Sequence, residues 1–195
     1  MRQAEMTRQT GETNIQITLN LDGEGTAQIN TGIGFFDHML TLLARHAHMD
    51  LTVAAQGDLA VDDHHTVEDV GIVLGQALKC ALGDKRGIRR YGQAAIPMDE
   101  ALATAALDIS GRAYLVFRVE FLSDRVGGFS TQMTEEFFRA LAFNAGLTLH
   151  LACPYGHNDH HLAEALFKAF AHALADAAAI DPGHAGAIPS TKGVL

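Results

Sequence analysis

The sequence contains little cysteine, no tryptophan and few basic residues. Its two cysteines, Cys80 and Cys153, stand alone without a CxxC pair, which argues against a disulfide framework and against a thiolate metal site. The 14 lysines and arginines are outnumbered by 23 aspartates and glutamates, so the formal net charge is −9. Because this balance gives no global basic field, we expect no nucleic-acid partner and no anionic membrane surface.

Long apolar segments are missing as well. No apolar run approaches the roughly 20 residues that cross a bilayer. Residues 1–14 are polar and lack the apolar region of a secretory signal. These absences predict a cytoplasmic protein. At 195 residues, of which 48% are hydrophobic, the chain is long enough to bury the core of one compact unit.

Histidine, in contrast, is abundant and clustered. The chain has 11 histidines, and most of them fall in three short segments, at residues 38–48, 64–65 and 157–161. Imidazole is the commonest metal ligand in proteins and titrates near neutral pH. Clusters of this kind need an explanation that scattered surface histidines would not.

The chain also contains an internal duplication. Residues 63–68 (DHHTVE) match residues 159–164 (DHHLAE), and both segments continue into apolar residues at helical spacing. Residues 35–44 and 134–147 form a second pair of predicted helices, which sets His38 opposite Glu136. Strand-like runs occupy residues 13–21, 50–55, 101–108, 113–121 and 148–152. We therefore predict an α+β fold of two similar halves, residues 1–93 and 94–195, each a small, mostly antiparallel sheet with two helices.

The duplicated segments carry a first motif (residues 64–68) and a second motif (residues 160–164), both of the form His-His-x-x-Glu. Residues three or four apart share a helix face, so each motif can bring imidazole nitrogen and carboxylate oxygen together. Adjacent histidines point roughly 100° apart and suit two different ions. Such mixed donors suit manganese, iron or zinc. A single copy would fit a helix start with solvated histidines and the preceding Asp as N-cap, but two equivalent copies favour metal.

Basic residues near these motifs suggest an anion site in spite of the acidic composition. Arg90, Arg112, Lys168 and Lys192 are spaced along the chain, and Lys168 lies four residues after Glu164. Arginine recognises phosphate through paired hydrogen bonds, and lysine adds a point charge. Solvated surface charge is the alternative. Candidate metal ligands together with basic side chains predict a small phosphorylated substrate.

Five segments resemble imidazoleglycerol-phosphate dehydratases, in order and over essentially the whole chain: residues 36–40 (FDHML), 63–69 (DHHTVED), 110–112 (SGR), 158–161 (NDHH) and 189–193 (PSTKG). The resemblance implies helices packed between two sheets, as in the second domain of ribosomal protein S5. It also implies a homo-oligomer of 24 subunits whose active sites lie between neighbours.

The resemblance further implies two Mn²⁺ ions per active site. The metal ligands it implies are His38, His64, His65, Glu68, His160, His161 and Glu164, and Glu136 is a candidate eighth ligand. Glu136 stands where many family members have a histidine. The candidate substrate-binding residues are Glu12, His38, His46, Arg90, Arg112, Lys168, Ser190, Thr191 and Lys192, of which the resemblance implies Glu12 at the glycerol carbons and Arg90, Arg112, Ser190 and Lys192 around the phosphate. The catalytic residues it implies are Glu12, His65, Glu68, His161 and Glu164.

The activity that the resemblance implies is that of a carbon–oxygen lyase in histidine biosynthesis. It dehydrates D-erythro-imidazoleglycerol phosphate to imidazoleacetol phosphate through a dimanganese-bound imidazolate intermediate, with Glu12 transferring a proton. Two other hypotheses compete. A metal-dependent phosphohydrolase would usually use more Asp ligands. A metal-storage or metal-sensing protein would not need Glu12, the arginines and the Ser-Thr-Lys tail together.

Overall fold

The computed structural model describes residues 2–184, 186–193 and 195. The first half contains β1 (Gln3–Gln9), β2 (Thr13–Asn20), β3 (Ala27–Asn30), α1 (Gly34–His46), β4 (Asp50–Gly57) and α2 (His64–Leu82). The second half contains β5 (Tyr91–Met98), β6 (Ala101–Asp108), β7 (Tyr114–Arg118), β8 (Arg125–Val126), β9 (Phe129–Ser130), α3 (Gln132–Ala145), β10 (Thr148–Tyr155) and α4 (Asp159–Ala178). A 3-10 turn, Pro182–His184, follows.

The two halves repeat one sheet topology. The first sheet has the order β1-β2-β4-β3 and the second has the order β5-β6-β10-β7. In each sheet one edge pair is parallel, β3 with β4 and β7 with β10, and the other pairs are antiparallel. The predicted α+β class and the duplication are therefore confirmed. β5 begins three residues before the predicted second half, and the boundary between residues 93 and 94 stays a prediction.

The four helices form a layer between the two sheets. α2 packs against β1 and β2, α4 packs against β5 and β6, and the helices pair as α2 with α3 and α1 with α4. The side chains of β2 alternate between the core and solvent. Ile15, Ile17 and Leu19 are buried in the core, and the residues between them are exposed. Among the described residues, no helix is both long and apolar enough to span a bilayer.

Two glycines let α2 and α3 approach closely. A Cβ atom added at Gly71 would lie 2.8 Å from the carbonyl oxygen of Phe137, and one added at Gly75 would lie 2.6 Å from the carbonyl oxygen of Leu141. Both distances are shorter than van der Waals contact, and carbonyl oxygens of a neighbouring helix cannot move aside alone. The α2–α3 distance thus depends on these two positions.

We expect Gly75→Ala to destabilise the fold, although alanine is the better helix former by about 1 kcal/mol. Separating two packed helices to admit a methyl group costs about 1–3 kcal/mol, as other overpacked cores show. Urea unfolding of the metal-free protein measures the difference. Gly34→Ala is the matched control, since nothing lies within 4 Å of a Cβ atom there. A Gly75→Ala variant as stable as the Gly34→Ala control would contradict the tight contact.

Candidate metal centre

The second motif begins at a capped helix end. The side-chain oxygen of Asn158 accepts hydrogen bonds from the backbone N–H groups of His160, at 3.0 Å, and His161, at 3.4 Å. This contact satisfies donors that the first turn of a helix leaves without intrahelical partners. The cap fixes the direction in which the two histidines leave the helix.

The aspartates that precede the histidine pairs hold neighbouring loops, and neither of them caps its helix through a side-chain hydrogen bond. Asp63 occupies the N-cap position of α2 but makes no side-chain capping bond, and its carboxylate accepts from the backbone N–H of Ser130 at 2.5 Å. The carboxylate of Asp159 accepts from the backbone N–H groups of Leu122, at 2.9 Å, and Ser123, at 2.8 Å. Both aspartates are buried, and both tie a motif to the segment between β7 and α3.

One group of metal-binding donors forms where α1 packs against α4. Nε2 of His38 and Nε2 of His160 each lie 3.2 Å from Oε2 of Glu164. Within the described part of the chain, only these three residues bring three candidate donor atoms within 4.8 Å of one another. Two imidazole nitrogens and one carboxylate oxygen are a donor set that suits a divalent transition metal. We call His38, His160 and Glu164 the three-ligand group.

The carboxylate of Glu164 is held in its charged form. Its burial alone would raise its pKa, but the hydrogen bond from Lys168 and those from the two histidines outweigh burial and lower the pKa to about 2. The Lys168 ammonium donates to Oε1 at 2.5 Å, so the other oxygen faces the imidazoles. Lys168 therefore lies beside the three-ligand group. A charged carboxylate needs no proton loss before it binds a cation.

The first motif places its donors nearer to solvent. Nε2 of His64 lies 3.7 Å from Oε2 of Glu68, and both side chains are about half exposed. Nδ1 of His65 lies 3.0 Å from a carboxylate oxygen of Asp58 and 3.8 Å from Oε2 of Glu12. The hydrogen bond to Asp58 is the main cause that raises the pKa of His65. Glu12, which only the resemblance indicated, thus lies beside the second histidine of the first motif.

Glu100 is a residue of the site that the sequence analysis missed. Its Oε2 lies 2.7 Å from Nδ1 of His161. Glu100 precedes β6 in the turn between β5 and β6, just as Glu12 precedes β2 in the turn between β1 and β2. The duplication could have revealed it, because the two hairpins occupy equivalent places in the repeated topology.

The paired histidines diverge in both motifs. The ring planes of His64 and His65 are 72° apart, and those of His160 and His161 are 81° apart. In the second motif, His160 faces Glu164 whereas His161 faces Glu100. Each motif thus presents its two imidazoles to different surroundings. That adjacent histidines bind different ions stays a prediction.

The arginines predicted to bind phosphate gather around Asp108. Arg90 donates to both carboxylate oxygens of Asp108, at 2.7 and 3.1 Å, and to the carbonyl oxygen of Pro189 at 2.8 Å. Arg112 lies 3.6 Å from the same carboxylate and leaves 69% of its side chain exposed. Residues 190–192 follow Pro189 directly, and Ser190 accepts from the backbone N–H of Lys192 at 3.2 Å. We call Arg90, Arg112, Asp108 and residues 189–192 the arginine cluster.

The three-ligand group and the arginine cluster lie at opposite ends of α4. Glu164 is in the second turn of this helix, whereas the backbone N–H of Arg90 donates to the carbonyl oxygen of Ala177, in its last turn. Ala177 lies thirteen positions after Glu164, which corresponds to about 20 Å along a helix.

Two other predicted site residues contact side chains outside the three-ligand group. His46 packs against His172 with ring centroids 5.3 Å apart, and burial, followed by the charges of His172 and Lys168, lowers the pKa of His46. Glu136 lies on α3, where its Oε2 is 3.6 Å from Nε of Arg139. Both roles stay predictions.

Comparison with known proteins decides the family. The family model described as imidazoleglycerol-phosphate dehydratase matches residues 31–174, which span α1 to α4 and include both motifs. The chain belongs to the imidazoleglycerol-phosphate dehydratase family. It is 62% identical over 195 residues to the imidazoleglycerol-phosphate dehydratase of Azorhizobium caulinodans, covering 100% of this chain and 99% of that protein. It is also 62% identical over 194 residues to that of Acidiphilium cryptum, covering 100% and 99%.

Solved structures of the family share the fold. The crystal structure of imidazoleglycerol-phosphate dehydratase from Staphylococcus aureus has a TM-score of 0.84 at 44% identity, covering 92% of this chain and 99% of that chain. The Pyrococcus furiosus structure, solved with (S)-C348, has a TM-score of 0.83 at 36% identity, covering 97% and 100%. The family, the duplicated fold and the enzyme class are thereby confirmed. A phosphohydrolase and a metal-storage protein are no longer competing assignments.

Proposed function

We propose that this chain dehydrates D-erythro-imidazoleglycerol phosphate to imidazoleacetol phosphate in histidine biosynthesis, with Mn²⁺ as cofactor. The observation that carries the proposal is the three-ligand group, because two imidazoles and a charged carboxylate converge there in a chain of this family. The names of relatives that match the chain over its full length support the same reaction.

The donors fit two ions per site. His38, His160 and Glu164 would hold one, and the remaining donors implied by the family would complete both shells: His64, His65, Glu68, Glu136 and His161. When bound, Mn²⁺ would act as a Lewis acid on the imidazole of the substrate. Carboxylate and imidazole donors without thiolate agree with manganese.

The residues of the chain would orient the substrate and move its protons. Dehydration removes a hydroxyl from one glycerol carbon and a proton from the next, and the resulting enol becomes the ketone. Glu12 is our candidate for the proton transfer, since its carboxylate is 57% exposed in a hairpin turn beside His65. The Lys168 ammonium next to Glu164 is placed to contact a substrate hydroxyl. Arg112, Ser190, Thr191 and Lys192 would bind the phosphate.

The active site would lie between subunits of a homo-oligomer. The three-ligand group and the arginine cluster are about 20 Å apart along α4. A substrate with one ring and a three-carbon phosphate chain is much shorter than this separation. The three-ligand group of one subunit, its metal end, would therefore meet the arginine cluster of another subunit, its arginine end. A 24-subunit assembly, as the resemblance implies, would provide such contacts.

One assay tests the proposed function. Protein, Mn²⁺ and imidazoleglycerol phosphate are incubated together, and the products are followed as ketone and as inorganic phosphate. We expect stoichiometric ketone, no phosphate release and complete loss of activity with a chelator. Release of phosphate, or no product from protein that binds manganese, would overturn the proposal.

We further predict that Glu136 completes one metal shell. Glu136→Ala should weaken manganese binding at one site by at least about 10-fold, and Glu136→His should retain it, since both carboxylate and imidazole hold this metal. Mn²⁺ titrations followed by electron paramagnetic resonance measure the affinity. Glu135→Ala is the matched control, because Glu135 also contacts Arg139 from the preceding position of α3. Equal stoichiometry and affinity in Glu136→Ala and the control would exclude Glu136 as a ligand.

A further inference from the structure

The second histidine of each motif contacts a carboxylate from outside its motif. Nδ1 of His161 lies 2.7 Å from Oε2 of Glu100, and Nδ1 of His65 lies 3.0 Å from Oδ2 of Asp58. In both cases the contact uses Nδ1. The two carboxylates come from non-equivalent places, since Glu100 is in the hairpin between β5 and β6 and Asp58 follows β4. The two halves thus make the same contact by different routes.

A carboxylate at Nδ1 determines which nitrogen can bind a metal. An ionised carboxylate only accepts hydrogen bonds, so the neutral ring carries its proton on Nδ1 and keeps the lone pair on Nε2. Both oxygens of Glu100 contact nitrogen donors, namely Nδ1 of His161 and the backbone N–H groups of His157 and Asn158, an arrangement in which the carboxylate acts only as acceptor. Metal-binding histidines commonly donate their second N–H to such a partner. The geometry therefore leaves Nε2 available at both histidines.

The carboxylate of Glu100 is itself fixed. Its second oxygen accepts from the backbone N–H groups of His157, at 3.1 Å, and Asn158, at 2.8 Å. Asn158 in turn caps the helix that carries His161. Hairpin, helix end and imidazole form one hydrogen-bonded network, which restricts rotation of the ring.

From these contacts we infer that Glu100 and Asp58 are positioning residues, which hold His161 and His65 with Nε2 free for a metal ion. The inference rests on the proposed metal-dependent function. It also separates the roles of the two hairpin carboxylates. Glu100 is bound to its histidine, whereas Glu12 stays 3.8 Å from His65, where Asp58 already occupies Nδ1. Glu12 is thus left to act on substrate.

Glu100→Gln tests the role with little change of shape. If the glutamine oxygen keeps the hydrogen bonds from the backbone N–H groups of His157 and Asn158, the glutamine NH₂ group faces Nδ1 of His161. The imidazole must then carry its proton on Nε2, the nitrogen that would bind the metal. We expect manganese affinity at one site to fall by about 10–100-fold. Electron paramagnetic resonance of free Mn²⁺ measures this on the full chain, with exposed Glu24→Gln as the control. Asp58→Asn is the corresponding variant at His65.

A double variant distinguishes positioning from general structural support. If Glu100 acts through His161, adding Glu100→Gln to His161→Ala should cause no further loss of affinity. An additional loss of the same size, or wild-type affinity in Glu100→Gln alone, would overturn the inference.

Ring ¹⁵N shifts of His161 in the metal-free chain separate this inference from the proposed function, because they require neither metal nor substrate. We expect a proton on Nδ1 in the wild type and on Nε2 in Glu100→Gln. A wild-type ring protonated on Nε2 would refute the positioning role, whatever reaction the enzyme catalyses.

Discussion

Replacing Glu164 with glutamine is expected to abolish turnover and to weaken manganese binding by more than about 100-fold. Loss of a residue that only supports a metal ligand costs up to about 100-fold in affinity, and loss of a ligand itself should cost more. His38 and His160 both contact the carboxylate of Glu164, which is buried and charged. Glutamine keeps the shape but offers only a neutral oxygen, and it loses the charge-assisted bond from Lys168. Manganese titration and ketone formation measure the two effects.

Glu135→Gln on the exposed face of α3 is the control for this change, and it should bind manganese as the wild type does. A Glu164→Gln variant with normal affinity and turnover would remove the three-ligand group from the active site. The metal-free proteins give an independent check. Because the pKa of Glu164 is lowered from 4.5 to about 2, its charge stabilises the fold above pH 4.5. That contribution should disappear as the pH falls towards 2, and the glutamine variant should lack it.

Removing the metal is expected to break the assembly into smaller particles. If each site joins the metal end of one subunit to residues of another, ions bound there stabilise only the assembled state. By linkage, stripping manganese then shifts the equilibrium towards dissociation. Light scattering before and after chelation should show a fall in mass, to trimers, and added Mn²⁺ should rebuild the large particle.

The matched control for chelation is the Glu164→Gln variant, whose mass should respond little to chelator because it binds manganese weakly. An unchanged mass of wild-type protein after verified removal of the metal would show that the subunit contacts hold without ions. The metal would then contribute to catalysis alone.

The sequence pointed to His160 and Glu164, two members of the three-ligand group, because the duplication repeats their residue types in order. Two copies of His-His-x-x-Glu at helix starts were enough to indicate metal, and the structure places His160 and Glu164 one turn apart as the spacing requires. Helical periodicity also predicted that the paired histidines diverge. The contact of His38 with Glu164 was less accessible, since it depends on how α1 packs against α4.

The contacts that Glu100, Asp58 and Asp108 make with candidate site residues were not predictable from local sequence patterns. Glu100, Asp58 and Asp108 lie outside every motif, and each reaches its partner only through hairpin or loop geometry. Asp63 and Asp159 looked like helix caps, but tertiary contacts with the segment before α3 use their carboxylates instead. The separation of the three-ligand group from the arginine cluster became visible only through the contact of Arg90 with the end of α4.

Mixing two inactive variants tests the shared active site most directly. Glu164→Gln disables the three-ligand group of a subunit, and Arg112→Ala disables the arginine cluster, so each variant alone should be inactive. If sites lie between subunits, particles rebuilt from an equal mixture of the two should regain up to about one quarter of wild-type activity, because random assembly pairs two intact ends at that frequency. Activity of the mixture no higher than the sum of the separate variants would show that each subunit carries a complete site, and would contradict the account.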